Sequence, residues 1–428
     1  MKMLNFILDR RNYIAVYVIG YLVRGIIYHF FPFINEILMW ITIIWPVIII
    51  WHDIFSGFQK PDSTQVSLYL FLFFALLSTL INIKDVLAYD YYSRGEVSLS
   101  LWNAVSLIYI LFGNGRKEEK RSYQTFINQL IKIICIVISL LAAGSIVLYI
   151  CYRLNITLPG GFGNESQIFT YGHLGNKERF CGLFGYSNYG GNCCALAAVL
   201  SIYLLEQREI SPFVCSGVIF VTGISIYLMN VRTSIVELLV IVLVIATYLI
   251  GKRIGAKKAI AGIVAIGVLL IGVFLYLKFD TLRGYYIKYD GDIPAMLDFV
   301  TTGRTKFWGL AFQSFLKSPV LGHGWLNNSS IGYFDNHNLL FNLLVWTGLC
   351  GTGCIVYFFI QLLRFIHKNF RLLENDSKLT VVLILIAVFV QSLLDRAILG
   401  TANTEVETSI FWIISGLLMY CYQVSSKT

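Results

Sequence analysis

Long apolar runs separated by short polar intervals are the main pattern of this 428-residue chain. About 20 predominantly apolar residues suffice for a helix that crosses a bilayer. Twelve runs approach or reach this length, at 13–33, 34–51, 66–83, 97–113, 129–151, 186–205, 213–230, 233–251, 258–278, 338–363, 379–395 and 407–423. The pattern predicts an all-α, polytopic transmembrane helical protein with about 12 spans, in which residues 1–428 form a single integral-membrane domain.

The composition supports this class. The mean hydropathy is +0.71, with 57% hydrophobic and 13% charged residues, whereas about a quarter of the residues of soluble proteins are charged. A net charge of +9 would suggest nucleic acid as the partner of a soluble chain, but cytoplasmic loops rich in Lys and Arg explain it in a membrane protein. We therefore expect this chain to lie in a lipid bilayer and not to bind nucleic acid. The nine cysteines do not occur at metal-ligand spacings, so no metal site is expected from them.

The distribution of Lys and Arg sets the predicted orientation. Basic residues cluster at the N-terminus and in the intervals 114–126, 251–258 and 364–378, which all fall on one side of a twelve-span count. Both termini are therefore expected on the cytoplasmic side. The intervals 152–185 and 279–337 then form extracytoplasmic loops, and the second is a large loop between spans 9 and 10.

The longest polar interval in the second half of the chain runs from Thr302 to Asn338. Near its start, apolar residues recur at i, i+3, i+4, i+7 and i+8, namely Trp308, Ala311, Phe312, Phe315 and Leu316. This spacing predicts an amphipathic helix at the outer membrane–water boundary. Pro319 ends the helix, and Gly322-His323-Gly324 turns the chain back toward the membrane.

A histidine at the end of this interval is the candidate for acid–base chemistry. His337 precedes the tenth predicted span, and imidazole is the side chain best suited to general-base work near neutral pH. A lone histidine at a span end also fits an interface residue with no catalytic role. His323, between two glycines, fits a turn residue or a secondary polar contact, while Asp335 and Asn338 are further polar candidates beside His337.

Two arginines on the same predicted side supply positive charge. Arg304 lies at the start of the amphipathic segment, and Arg232 opens the eighth span with Thr233 and Ser234. A guanidinium fork binds phosphate oxygens bidentately, and a helix N-terminus favours anions. An interfacial anchor is the alternative role for Arg232. Glu237, a little over one turn deeper, indicates either an internal polar cavity or an ion pair with Arg232.

The first extracytoplasmic loop ends in a glycine-rich stretch that contains Arg179. Glycines at positions 182, 185, 190 and 191 would let a polar backbone re-enter the membrane where a cavity satisfies it. A glycine-rich loop leading into a helix is the alternative. Arg179 is therefore a further candidate for substrate binding.

Five short motifs follow one another along the chain. They are R-x-x-G-L-F-G-x-x-N from Arg179, the segment Arg232-Thr233-Ser234, G-R-x-x-x-W from Gly303, P-x-x-G-x-G from Pro319 and H-N-x-x-x-x-x-L-x-x-x-G from His337. Their order, spacing and predicted side of the membrane resemble the O-antigen ligase and surface-polysaccharide polymerase superfamily of bacterial integral-membrane glycosyltransferases. The chain departs from many members of that superfamily at Val231, where they have Ser.

The resemblance implies a GT-C-like membrane fold and an inverting glycosyl transfer that needs neither a metal nor another cofactor. The donor would be a glycan linked to undecaprenyl diphosphate, used on the extracytoplasmic face of the bacterial cytoplasmic membrane. Carried over by position, His337 would be the base that activates the acceptor hydroxyl, and Arg232 and Arg304 would bind the diphosphate. Arg179 maps less securely onto the family pattern.

The superfamily contains two activities that the sequence does not separate. A polymerase joins lipid-linked repeat units into O-antigen, capsule or exopolysaccharide, whereas a ligase transfers a finished glycan to lipid A-core or another acceptor. The moderate, aromatic-rich outer loop favours a polymerase, for which a flippase and a chain-length regulator would be further partners. A lipid-linked oligosaccharide flippase or other transporter is the alternative from a different class, but the sequence shows no internal repeat with interrupted spans in matching halves.

Overall fold

A computed structural model describes residues 6–30, 32–56, 63–88, 101–103, 105–106, 108–110, 120–156, 169–171, 178–185, 187–231, 234–235, 238, 283–284, 287–288, 292–295, 304–328 and 338–368. This part of the chain is mostly helical. Its main helices are α1 (Arg10–Phe30), α2 (Pro32–Ser56), α3 (Ser63–Ile81), α4 (Ile83–Ala88), α5 (Lys120–Arg153), α6 (Ser187–Glu206), α7 (Pro212–Met229), α8 (Arg304–Lys317) and α9 (Leu339–Lys368). Strands β1 (Phe169–Tyr171) and β2 (Glu178–Phe180) form an antiparallel hairpin, and a 3₁₀ turn follows at Gly182–Phe184.

Six helices among the described residues are long and apolar enough to cross a membrane. They are Phe33–Ser56, Ser63–Ile81, Asn128–Arg153, Ser187–Glu206, Pro212–Met229 and Leu339–Phe365. These helices coincide with the predicted spans 2, 3, 5, 6, 7 and 10. The predicted helical membrane class is thus confirmed, while the count of twelve spans and the GT-C likeness stay predictions.

The other predicted spans are covered less completely. Helix α1 lies over the first predicted span, and a shorter apolar helix at Leu101–Ile110 lies within the fourth. The predicted spans 9, 11 and 12, and nearly all of span 8, lie outside the described residues.

The ends of three helices that the predicted orientation puts on the cytoplasmic side meet in the structure. Arg10, at the start of α1, forms an ion pair with Asp53 near the end of α2, and it donates to the carbonyl of Ile110 at 3.2 Å. The Tyr109 hydroxyl donates to the same Asp53 carboxylate at 2.9 Å. Ion pairs and hydrogen bonds of this kind lower the free-energy cost of charged groups next to apolar helices. The contacts bring these three helix ends together, while the orientation in the membrane stays a prediction.

Helices α5, α6 and α7 pack into one group, which we call the α6 group. In α6 every residue from Cys193 to Leu200 is buried. Small residues there let the neighbouring backbones approach closely, as is usual between helices in a bilayer. Ser225 of α7 donates to the carbonyl of Ala142 in α5 at 3.2 Å, so the group is also tied together by polar contacts.

Helices α3 and α8 both pack on α9, and we call these three helices, together with the loop 318–328 and the cap residue Asn338, the α9 group. It contains the segment 304–328, the longest part of the predicted large outer loop that the structure describes. Of the candidate site residues within the described chain, Arg304, His323 and Asn338 belong to the α9 group, and Arg179 lies on β2, beside the α6 group.

Candidate functional site

Helix α9 is broken at Gly348, and the chain that follows α8 fills the break. Gly348 has φ 60° and ψ −160°, values outside the helical region. The N–H groups of Leu349 and Cys350 donate to the carbonyls of Pro319 and Val320, at 2.8 and 3.1 Å. The loop thereby replaces intrahelical partners that the break removes, because buried backbone groups require partners.

The exchange of hydrogen bonds runs in both directions. The N–H of His323 donates to the carbonyl of Val345 at 2.7 Å, and that of Gly324 donates to the carbonyl of Trp346 at 3.1 Å. Gly322 has φ +74°, and an added Cβ there would lie 2.6 Å from the backbone of Val345, Trp346 and Thr347. The P-x-x-G-x-G motif and the glycine that ends the H-N motif are therefore the two sides of one backbone-to-backbone junction.

Polar residues in the last turn of α3 and directly after it form hydrogen bonds with this junction. The Ser78 hydroxyl donates to the carbonyl of Trp346 at 2.8 Å, and the Asn82 amide donates to the carbonyl of Gly322 at 3.2 Å. The Thr79 hydroxyl accepts from the backbone N–H of Trp325 at 3.0 Å. A polar residue in a spanning helix is costly unless it has such a partner. These residues therefore fix the loop after α8 onto helices α3 and α9.

His323 acts as a secondary polar contact within this junction. Its Nε2 lies 2.9 Å from the carbonyl oxygen of Ser314 in α8. Its own carbonyl accepts from the side-chain amide of Asn327 at 2.8 Å. The imidazole therefore connects α8 to the turn that follows it, and a role of His323 in substrate binding stays a prediction.

Arg304 is the first residue of α8 and is half-buried. One turn later, the ring of Trp308 stacks on Phe341 of α9, with centroids 6.0 Å apart and an interplanar angle of 22°. The start of α8 is thus held against the start of α9. Phe341 lies four residues after His337 in the sequence, so this contact joins the start of α8 to the helix that follows the predicted base along the chain.

The apolar face of α8 differs from the predicted one. The helix itself is present, and Ala311 and Phe315 are buried against the rest of the protein. Phe312 and Leu316, however, are 49% and 58% exposed. The helix uses one part of its apolar surface for packing on α9, and the remainder is available to lipid. Its position at the membrane interface stays a prediction.

The described residues on either side of positions 329–337, Asn328 and Asn338, both bond to α9. At one end, the Trp346 indole N–H donates to Asn328 Oδ1 at 2.9 Å. At the other, Asn338 Oδ1 accepts from the N–H of Phe341 at 3.1 Å, as an N-cap. His337 and Asp335 lie between these anchors, outside the described residues.

Val231 and Ser234, the residues before and after Arg232-Thr233, are described and contact the α6 group. Val231 is buried against α6, where an added Cβ at Gly191 would lie 2.7 Å from the Cβ of Val231. Ser234 donates to Asn192 Oδ1 at 2.8 Å. The residue that departs from the family pattern, Val231, therefore has a packing role. Arg232 and Glu237 themselves lie outside the described residues.

Arg179 is exposed and lies on β2, opposite Thr170. The turn that follows is tied to α5, because the N–H of Leu183 donates to Ser145 Oγ at 2.9 Å. Gly182 has φ +55°, and an added Cβ would clash with Ser145. The glycines after Arg179 thus form a close-packed turn leading into α6, which agrees with the alternative interpretation of that stretch.

The structure brings some predicted residues together and adds others. Arg304, His323 and Asn338 belong to the α9 group, while Arg179 lies beside the α6 group. The residues that sequence reasoning missed are Ser78, Thr79, Asn82 and Asn192. Their signal was present, since each is a polar residue inside a long apolar run.

Comparison with known proteins supports the resemblance. A family model described as O-antigen ligase matches residues 217–356. This region contains four of the five motifs completely, those that begin at Arg232, Gly303, Pro319 and His337. No curated protein matches the chain. The predicted relation to the O-antigen ligase and polymerase superfamily is thereby confirmed.

Proposed function

Because residues 217–356 carry the O-antigen ligase family pattern, which points to a membrane enzyme of glycan transfer, we propose that this chain is a surface-polysaccharide polymerase. Its donor is an oligosaccharide repeat unit on undecaprenyl diphosphate, and its acceptor is a hydroxyl of a second lipid-linked unit. The reaction takes place on the extracytoplasmic face of the bacterial cytoplasmic membrane.

The proposed chemistry is a single displacement. His337 takes the proton of the acceptor hydroxyl, whose oxygen then attacks the anomeric carbon of the donor from the side opposite to the diphosphate. A new glycosidic C–O bond forms, the bond between that carbon and the phosphate oxygen breaks, and the configuration inverts. Undecaprenyl diphosphate leaves with the bonding electron pair, and Arg232 and Arg304 stabilise its negative charge by bidentate hydrogen bonds.

The stacking of Trp308 on Phe341 is the observation that carries this proposal. It joins α8, one turn after its first residue Arg304, to the first turn of α9, which follows His337 in the sequence. A base and a phosphate-binding group are both needed within reach of one glycosidic bond. The contact between the two helix starts supports their convergence.

The filled break in α9 argues against the transporter alternative. Transporters use interrupted helices whose free backbone groups line a substrate cavity. Here the carbonyls of Val345 and Trp346 and the N–H groups of Leu349 and Cys350 are bonded to residues of the 319–324 loop. The break therefore serves to attach a loop, which suits an enzyme that holds a reactive segment in place.

The test is an assay of the purified full-length protein with lipid-linked repeat units alone. A ladder of products supports the polymerase, and His337→Ala should abolish the ladder while the protein still inserts into membranes. Product formed only after addition of a different acceptor would identify a ligase. Movement of lipid-linked units across vesicles without any new glycosidic bond would identify a flippase, and both results would overturn the polymerase proposal.

A further inference from the structure

Val231 and Ser234, which flank Arg232-Thr233, contact two successive residues of α6, Gly191 and Asn192. Before the pair, the side chain of Val231 packs so closely on Gly191 that a Cβ added to this glycine would lie 2.7 Å from the Cβ of Val231. After the pair, Ser234 donates its hydroxyl proton to Asn192 Oδ1 at 2.8 Å. The chain that contains the predicted phosphate-binding arginine therefore has an attachment to the same helix on each side.

The bond between Ser234 and Asn192 is shielded from solvent. The exposed fractions of the two residues are 0% and 1%. A hydrogen bond in such surroundings is electrostatically stronger than one in water. It also determines what Ser234 does, because a hydroxyl has a single proton and this one is given to Asn192. Ser234 therefore holds the chain in place and has no proton left for a phosphate oxygen.

Asn192 is a buried polar residue in an otherwise apolar part of α6, where an amide is costly. It is followed by Cys193, Cys194 and further small or apolar residues that are all buried. Within the described part of the chain its Nδ2 has no hydrogen-bond partner. A buried amide with one unsatisfied group costs roughly 1–3 kcal/mol, so stability alone does not explain an asparagine here.

We propose that Asn192 is a positioning residue for phosphate binding: through Ser234 it fixes the start of the eighth span, so that Arg232 is held ready for the diphosphate of the lipid-linked donor. The proposal rests on the proposed function, since it assigns Asn192 a role in binding that donor. Positioning of this kind lowers the entropy that the arginine loses on binding. It therefore affects the donor and leaves the acceptor unaffected.

The test compares Ser234→Ala and Asn192→Leu with Ser225→Ala as a matched control. Ser225 is also buried and also donates to another helix, at the carbonyl of Ala142, but it is not attached to the Arg232 segment. For each variant, the KM for the lipid-linked donor, the KM for the acceptor and the melting temperature are measured on purified protein. We expect Ser234→Ala and Asn192→Leu to raise the donor KM by about 3- to 10-fold, as the loss of one hydrogen bond allows, with the acceptor KM unchanged. Ser225→Ala should leave both KM values unchanged.

The double variant Asn192→Leu/Ser234→Ala removes both partners and leaves no orphaned polar group. Replacing both members of a buried hydrogen bond by apolar groups is often nearly neutral for stability. This variant should therefore fold with a melting temperature close to that of the unchanged protein and still have the raised donor KM. If it instead has a normal donor KM, or if both KM values rise together as the melting temperature falls, the positioning role is overturned.

Arg232→Ala separates the failure of this inference from that of the proposed function. Binding of undecaprenyl diphosphate, followed as competitive inhibition of transfer or as direct binding to the protein in lipid nanodiscs, is measured for Arg232→Ala with and without Ser234→Ala. If Ser234 acts through Arg232, the second substitution adds no further loss. If Arg232→Ala weakens binding and Ser234→Ala alone does not, only the positioning role fails. If Arg232→Ala binds normally, the phosphate-binding role in the proposed function fails as well.

Discussion

Leu349 donates its backbone N–H to the carbonyl of Pro319 at 2.8 Å, across the break in α9. In an unbroken helix that N–H would go to Val345, whose carbonyl accepts instead from the N–H of His323. The loop after α8 and the broken helix therefore complete each other's backbone hydrogen bonding. This junction holds the loop before the predicted base and the helix after it, so its stability and the activity should depend on the same few residues.

Gly348→Ala should unfold this junction. The position has φ +60°, and an added Cβ would clash with the backbone of Val320 and Leu321, which cannot move aside as a flexible side chain can. The left-handed conformation alone costs an L-residue roughly 1–2 kcal/mol, and the clash adds to it. We expect poor yield or a clearly lowered melting temperature in detergent, together with loss of transfer.

Gly353→Ala is the matched control, since Gly353 lies in the same helix and no heavy atom of the described residues lies within 4 Å of its missing Cβ. Alanine is favoured over glycine in a helix by about 1 kcal/mol, so this variant should be as stable as the unchanged protein or more so. Equal behaviour of the two variants would contradict the role of the break.

Ser78→Ala should weaken the attachment of α3 to α9. The substitution leaves the carbonyl of Trp346 with one hydrogen bond fewer at a buried site, at a cost of roughly 1–2 kcal/mol. Ser67→Ala in the same helix is the control, because in the described part of the chain the Ser67 hydroxyl bonds to the carbonyl of Thr64, within its own helix. The melting temperatures of the two variants provide the measurement, and a larger effect at Ser67 would contradict the proposed attachment.

Much of the helical framework follows from hydropathy, because a bilayer requires spans of a certain length whose backbone is bonded internally. The same hydropathy pattern identifies the polar interval between two spans in which α8 lies. The pattern did not show that α9 is broken, because Gly348 occurs in an apolar run whose hydropathy does not change there. The break depends on a partner loop from another part of the chain, which periodicity along one helix does not reveal.

Within the candidate site, the family motifs identified the loop residues but not the residues that support them. Gly322 and Gly348 occur in separate motifs, and only the structure shows that they touch through their backbones. The sequence does not single out Asn82 and Asn192, because one polar residue in an apolar run does not indicate which group it bonds to. Their bonds to Gly322 and Ser234 join residues 240 and 42 positions apart.

The thiol of Cys181 should be nearly inert toward alkylation in the folded protein. Burial raises the pKa of Cys181 to about 11, and the reactive species is the thiolate. At pH 7.5 iodoacetamide should therefore label this cysteine slowly, and labelling should speed up as the pH rises toward 11. Denaturation in detergent should remove the protection, and fast labelling of the native protein at pH 7.5 would contradict it.

A chelator should not inhibit transfer, because the superfamily resemblance implies a metal-independent reaction. The predicted outer loop does contain an acidic pair, Asp290-Gly291-Asp292, of the residue type that holds divalent cations. Asp292, however, accepts from the N–H of Ala295 at 3.1 Å through Oδ1, as a helix cap. Asp292→Asn keeps the capping oxygen and should keep the activity. Inhibition by EDTA that magnesium or manganese reverses would show that the catalytic class is different.

Arg304→Lys should lose much of the activity although the charge is retained. Lysine is a point charge and lacks the planar fork that binds two phosphate oxygens at once. A lost charge-assisted hydrogen bond is worth roughly 1.5–3 kcal/mol, which corresponds to a fall of about 10- to 100-fold in kcat/KM for the lipid-linked donor. The exposed residue Lys306, two positions further along α8, provides the control, because Lys306→Gln removes a charge of the same sign without touching the fork. Unchanged kinetics for Arg304→Lys, or an equal loss for Lys306→Gln, would show that α8 contributes only general positive charge to donor binding.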